Sequence, residues 1–407
     1  MSMSSFPTRI AYEEALALIR AKACERQLDG ETIAIKRVDG RVLMQDVVTP
    51  IDLPAFDNSR MDGFALRHAD LVPKEVTQLH IVGEQFAGPL VDIPLAPGQC
   101  IRITTGAPIP SAADTVVIKE NVREHDGTVE VPPGVDAGAD IRRAGEDVQR
   151  GDVVLEAGSL LTPARISLAA ALGLSDVRVS KRPTVAVFTT GDELVEPGLS
   201  LQAGQIYNSN RELLMGLLRD EGLEPVAWPT LPDDPARIET ALRDAASAFD
   251  VVITCGGVSA GEKDHLPALL GEHGEIYFWK VKMKPGMPML FGQMDRALFL
   301  GLPGNPVSVL ATFIALVRPV LDGLQGRVEP RLRLFATLST AWNKQHERLE
   351  FLRGHLDYGQ DGVLRVQPNA ADASHRLRAA AASNALIVLP EGAQFFEAGT
   401  AVEVLAY

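Results

Sequence analysis

Residues 250–264, DVVITCGGVSAGEKD, place three charged side chains, Glu262, Lys263 and Asp264, shortly after a glycine pair. Gly256 and Gly257 allow a sharp backbone turn and leave N–H groups open to a ligand. The arrangement recurs twice. In TVAVFTTGDEL (184–194), Gly191 precedes Asp192 and Glu193, and in ALFLGLPGNPVS (297–308), Pro303, Gly304, Asn305 and Pro306 form a rigid turn. Another acid pair, Asp233–Asp234, stands before Pro235. Carboxylates gathered in one place need a cation to balance them. Each feature also has a plainer reading: glycines after a strand often just turn the chain, and an aspartate before proline often caps a helix. In IYFWKVKMKPGMPMLF (276–291), Lys280, Lys282 and Lys284 recur at period two. A strand would set all three on one face, either solvated or binding phosphate and other oxyanions. The row leads into a KPG turn between two ligand-type loops, which favours the binding reading.

The elements that must position these groups are also legible. Val251 to Ile253, Val185 to Phe188 and Leu298 to Leu300 are short apolar runs and read as buried strands. If they are parallel and joined by crossover helices, their turns meet at the carboxyl edge of one sheet. Asn208, Ser209 or Asn210 caps a helix through Leu218. This α/β block covers about 183–325. Ahead of it, 11–27 reads as an amphipathic helix, 32–49 as short strands, and 76–140 as a small β-rich region. The segment 163–175 is helical, with Gly173 as its C-terminal cap. The tail, 331–407, reads as a small β-barrel or sandwich, with basic stretches RLEFLRG (348–354) and SHRLR (374–378). The loop AFDNSRMDGF (55–64) is either a surface turn or a loop offering Asp62 and Ser59 to a pocket. ITTGAPIP (103–110) offers Thr104, Thr105 and Gly106 to an anion. IRRAGEDVQRG (141–151) mixes Arg142 and Arg143 with Glu146 and Asp147, a solvated loop or a catalytic or metal-binding carboxylate.

A chain of 407 residues, 46% hydrophobic and 23% charged, suits a soluble protein of several domains. Its net charge of −14 argues against nonspecific binding to nucleic acid or an anionic membrane. Cys24, Cys100 and Cys255 form no CxxC pair, so neither a disulfide framework nor a zinc site is indicated, and a reducing cytoplasm fits. The N-terminal MSMSSFPTRI lacks the pattern of a signal peptide. The apolar run Val307 to Val317 reads as too short to span a bilayer and as ending at Arg318.

DNSRMDGFA, TGAPIP, IRRAGEDV, TTGDEL, GGVSAGEKD, KPGMPMLFG and GLPGNPVS occur in one order along nearly the whole chain. Together they resemble the molybdopterin molybdenumtransferases, a family that includes the E domain of the scaffold protein gephyrin. The resemblance implies an α/β plus β multidomain, elongated subunit. Its parts would be a helical and β-stranded linker domain (1–54 and 141–180), an inserted β-rich domain (55–140), a molybdopterin-binding α/β domain (181–328) and a C-terminal β-barrel (329–407). It implies a homodimer with a cleft shared between the α/β domain of one subunit and the inserted domain of the other. The implied reaction takes adenylylated molybdopterin and molybdate, releases AMP and leaves molybdenum on the dithiolene, in contact with other cofactor-biosynthesis proteins.

By motif, the resemblance makes Asp62, Glu193, Asp233 and Asp264 the catalytic acids, with Asp62 from the partner subunit. Glu193, Asp233 and Asp264 would hold Mg²⁺ or orient a water. Substrate would be bound by Thr105, Asp147, Gly256, Gly257, Ser259, Lys280, Lys284, Pro303, Asn305, Pro306, Arg353 and Ser374. Mg²⁺ matches this set because it takes oxygen ligands from one or two carboxylates plus phosphate. Two departures stand out. Met287 occupies a position that is commonly basic, and RLRAAAAS (376–383) is richer in Ala and Arg than usual. Alternatives are a non-catalytic carrier of molybdopterin or of the finished cofactor, and a gephyrin-like scaffold.

Overall fold

The computed structural model describes residues 6–91, 93–258, 265–370 and 376–407. The chain forms two compact units. One takes the chain up to Met44, Gly158–Thr162 and everything from Val177 on; the other comprises Gln45–Ala157 and Pro163–Asp176.

The first unit is built on a seven-stranded sheet in the order Thr8–Ile10, Gly274–Val281, Leu290–Met294, Ala297–Leu302, Val251–Cys255, Val185–Thr189, Val226–Ala227. Three adjacent strands, Ala297–Leu302, Val251–Cys255 and Val185–Thr189, are parallel, and their ends are flush: Thr189 pairs with Cys255, and Cys255 with Leu302. Every residue of these strands is buried. Alternation sends Val187, Ile253 and Leu300 to one face, against helices Tyr12–Cys24 and Ser209–Asp220 and the segment that follows Asn305. Phe188, Val252 and Phe299 face the other way, against helices Pro235–Ala248 and Leu266–His273. Both faces are therefore covered, which is why the strands read as continuous apolar runs.

The apolar run after the third turn does not stop at Arg318. Pro306–Thr312, a π-helical turn Phe313–Val317 and Arg318–Leu324 make one helix of 19 residues. Arg318 is accommodated because its Nε donates to Glu221 Oε1 at 2.6 Å. By length and composition this helix could cross a membrane, but 83% of its apolar window is buried within the fold, so it is a core helix.

The lysine row does not form. The strand ends at Val281, and Lys280 has φ +70°, which breaks the alternation. Its N–H donates to Met289 O at 2.7 Å and that of Val281 to Met287 O at 3.0 Å, closing a tight return. Met283–Lys284 then leaves the sheet and pairs in parallel with Leu349–Glu350.

Those residues open the longest strand of the C-terminal barrel. Leu349–Tyr358, Leu364–Pro368, Leu334–Leu338, Ala401–Ala406 and Ala385–Leu389 pair in turn, and the last pairs back to the first. The closed ring packs Leu338, Leu352, Val366, Ile387 and Val404 together. RLEFLRG is thus barrel wall, and Arg353 is 2% exposed.

The second unit holds a six-stranded sheet in the order Thr115–Ile118, Gly63–Leu66, Gln99–Ile103, Thr77–Gln85, Thr128–Val131, Arg123–His125, around Phe64, Leu66, Leu79 and Val117. Helix Pro163–Ala171 ends as its sequence predicts, with Gly173 at φ +78° and its N–H donating to Ala170 O at 2.9 Å. The loop around residue 60 is not a plain surface turn. Asn58 and Ser59 are buried and pair with Ile141–Arg142. Ser59 Oγ donates to Met61 O at 2.6 Å, so it holds the turn and is not offered to a pocket.

Candidate active site

Because the three parallel strands end flush, the turns after Thr189, Cys255 and Leu302 stand side by side and enclose a cavity of about 220 Å³. Glu193, Asp233, Gly256, Gly257 and Pro306 all line it. The turns are stitched together: Thr190 N–H donates to Cys255 O (3.2 Å) and Gly256 N–H to Leu302 O (3.1 Å). Gly256 has φ +100°, and a Cβ there would lie 3.0 Å from both Thr190 O and Oγ1. Glycine is required by conformation and by close approach alike.

The acids divide by role. Glu193 curls over Gly191, where a Cβ would come within 2.6 Å of Oε2. Asp192 Oδ1 accepts from Asp233 N–H at 3.1 Å, so Asp192 sets the loop that brings Asp233 beside the first turn. Asp234 caps the next helix, accepting from Ala236 N–H (3.0 Å) and Arg237 N–H (3.4 Å). Asp234→Ala is expected to cost about 1 kcal/mol of stability and leave turnover intact, checked by chemical denaturation beside a rate measurement.

Sequence reasoning read residues 208–210 only as a cap and Cys255 only as one of three scattered thiols. All four residues line the pocket. Asn208 is 1% exposed. Its Oδ1 accepts from Arg211 N–H at 3.3 Å, and its Nδ2 donates to Thr189 Oγ1 (2.7 Å) and Thr230 Oγ1 (3.0 Å). Asn210 Nδ2 donates to Gly304 O at 2.7 Å, tying this helix to the third turn. Cys255 Sγ donates to Pro303 O at 3.2 Å, and burial pushes its thiol up to about 12, so it is a structural donor and not a nucleophile. The available signal was position: each lies at the carboxyl end of a strand or opens the helix beside it.

Other predicted residues belong to the same unit. Lys284 Nζ is 3.0 Å from Glu350 Oε1, and Lys280 Nζ lies 4.2 Å from the Trp279 ring centroid. Asn305 accepts through its carbonyl from Ser308 N–H at 2.9 Å at the head of the core helix. Arg353 Nη1 approaches Arg376 O at 3.5 Å. Met287 Sδ lies 3.9 Å from Arg348 Nη1, so a guanidinium stands beside the position where the resemblance leads one to expect a basic residue. Asp264, Ser259 and Ser374 lie outside the described residues.

Three family models match in order: the MoeA N-terminal region (domain I and II) over residues 10–173, a probable molybdopterin binding domain over 186–323, and the MoeA C-terminal region (domain IV) over 336–407. A molybdopterin molybdenumtransferase of Haemophilus influenzae is 40% identical over 379 residues, 92% of this chain and 93% of that one. The chain belongs to the MoeA family. Molybdopterin molybdenumtransferase 2 of Mycobacterium tuberculosis is 38% identical, covering 92% of this chain and 94% of its own. The crystal structure of a molybdopterin biosynthesis moeA protein from Pyrococcus horikoshii OT3 superposes with a TM-score of 0.83 at 30% identity, over 98% of this chain and 100% of that one.

The remaining MoeA-motif residues sit in the second unit. Asp62 Oδ1 accepts from Thr105 N–H (2.9 Å) and Thr105 Oγ1 (2.8 Å), and its Oδ2 lies 3.2 Å from Lys119 Nζ. The Thr105 amide comes first among the donors that lower its carboxyl to about 2, so it stays ionised through the neutral range. The threonine donors read from sequence as anion-binding thus serve a carboxylate of the same unit. Asp147 is exposed, with its N–H donating to Leu53 O at 3.1 Å.

Among the described residues, no three metal-ligating side chains form a cluster. Glu193 and Asp233 nonetheless line one polar pocket, and two carboxylates completed by substrate phosphate oxygens are a donor set suited to Mg²⁺.

Proposed function

We propose that the protein is a molybdopterin molybdenumtransferase that takes molybdenum from molybdate into adenylylated molybdopterin and releases AMP. The observation that carries this reading is the meeting of three flush turns in one pocket that holds both Glu193 and Asp233. The family match along the chain supports it.

In this reading the pocket takes the phosphate-bearing end of the substrate. The Gly256–Gly257 turn, bare of side chains, lets its oxygens come close to the backbone. Glu193 and Asp233, with Asp264, would hold Mg²⁺ or orient a water toward the phosphoanhydride. Bound there, Mg²⁺ would neutralise charge developing on the phosphate oxygens. Water adds to one phosphorus and gives up a proton, the bridging P–O bond breaks, and AMP departs, leaving molybdopterin with its own phosphate. Lys280, Lys284, Arg353 and Ser374 serve the oxyanion side, joined by Ser259 and the Pro303–Asn305–Pro306 turn. Asp62, Thr105 and Asp147 complete the cleft from the partner of a homodimer, and the chain is divided into linker, inserted, molybdopterin-binding and barrel domains. Its three cysteines are free, which supports a reducing, cytoplasmic setting.

The test is AMP release from adenylylated molybdopterin by the purified protein with Mg²⁺, with and without molybdate. Molybdate-dependent AMP is expected. Tight binding with no AMP under either condition would replace this reading with that of a carrier.

A further inference from the structure

The Met283–Lys284 strand lies between two strands of the α/β sheet in sequence, yet it pairs with the barrel, Lys284 opposite Glu350. The Glu350 side chain is 4% exposed, and its Oε1 lies 3.0 Å from Lys284 Nζ and 3.3 Å from His346 Nε2. Lys344, also buried, donates from Nζ to His346 O and Gly392 O at 2.6 Å each. Burial pushes this ammonium down and Glu350 opposes that. From the same segment Arg348 Nη1 donates to Met283 O at 3.3 Å and reaches Met287 Sδ at 3.9 Å. The turn that carries Lys284 and Met287 is thus held by Arg348, Leu349 and Glu350, which lead into and open the longest barrel strand. A buried carboxylate is stable only where cations and donors satisfy it. A lysine on its flexible four-carbon stem gains a fixed direction when one of its three donors is committed to such a group.

We propose that Glu350 is a positioning residue: from the barrel wall it fixes the direction of the Lys284 ammonium toward a tetrahedral oxyanion, either free molybdate or the substrate's phosphate. The proposal rests on Lys284 serving oxyanion binding, as assigned under the proposed function. No sequence motif marks Glu350 for this role; the strand pairing and the salt bridge do.

Initial rates of AMP release by the full-length protein, with molybdate and adenylylated molybdopterin varied in turn, test it. Lys284→Ala is expected to raise one of the two KM values about tenfold, as loss of a charge-assisted hydrogen bond does. Which KM rises tells molybdate from the phosphate as the ligand. Glu350→Gln should raise the same KM roughly threefold to tenfold with kcat nearly unchanged, and Glu350→Asp should fall between Gln and wild type. In a Lys284→Ala background Glu350→Gln should add nothing. An equal further rise in that background overturns the proposal, because Glu350 would then act on barrel integrity alone. An unchanged KM in Glu350→Gln, beside a raised one in Lys284→Ala, overturns the positioning role and leaves the function of Lys284 standing. If Lys284→Ala moves neither KM, the assignment of Lys284 fails and the positioning role with it. Should melting curves show that Glu350→Gln does not fold, Glu350→Asp carries the same comparison.

Discussion

Asp233→Asn and Glu193→Gln each lower molybdate-dependent AMP release by about 10²-fold or more, with the protein's melting temperature little changed. Both side chains line the cavity, and Glu193 is exposed, so removing its charge leaves no core group unsatisfied. The loss therefore falls on the chemistry and not on the fold. If the two carboxylates act as a unit, the double variant is little worse than either single one. The adjacent Asp234→Ala serves as the control, because its carboxylate is spent on the helix cap. Unchanged AMP release in both single variants would remove these acids from the chemistry and leave the pocket as a binding site.

Gly63→Ala destabilises the protein by about 3 kcal/mol and abolishes turnover with it. A Cβ at Gly63 would lie 2.0 Å from Val117 O, 2.9 Å from Val117 C and 3.0 Å from Ile118 Cα. All three atoms are backbone, so no rotamer change relieves the contact. The Gly63–Leu66 and Thr115–Ile118 strands would have to separate. Asp62 precedes this glycine, and its carbonyl accepts from Lys119 N–H at 3.0 Å, so the carboxylate that Thr105 holds moves as well. Denaturant midpoints measure the effect. Gly216→Ala is the contrast: it sits in helix Ser209–Asp220 with nothing beyond its chain neighbours and its own helix backbone within 4 Å of the added Cβ, and it should stabilise by about 0.5–1 kcal/mol. An unaltered midpoint in Gly63→Ala would mean that the sheet absorbs the methyl group.

The α/β core was legible because both faces of its sheet are covered, which turns Val185–Thr189, Val251–Cys255 and Ala297–Leu302 into unbroken apolar runs. Their shared parallel direction then put Glu193, Asp233 and the glycine pair at one edge. What escaped depends on contacts distant in sequence. The alternation of Lys280, Lys282 and Lys284 is a sound strand signal, but the positive φ at Lys280 and the pull of the barrel on Met283–Lys284 override it. Arg353 was read as part of a basic stretch, and its burial was missed because local sequence does not show that its strand closes a barrel. Arg318 looked like a helix end because its partner, Glu221, lies about a hundred residues earlier. Asn208 and Asn210 were found as a cap but not as pocket lining, since their reach to Thr189, Thr230 and Gly304 depends on which strands are neighbours.

The closed ring also bears on how copies of this chain meet. Its five strands pair all the way round, so none of them presents a free row of N–H and C=O groups for another chain to extend. The seven-stranded sheet is bounded by Thr8–Ile10 on one side and the two-residue Val226–Ala227 on the other, edges too short to template a new strand. Self-association through either of these two sheets would therefore be written in side chains, where surface substitutions can tune it, and not in strand extension.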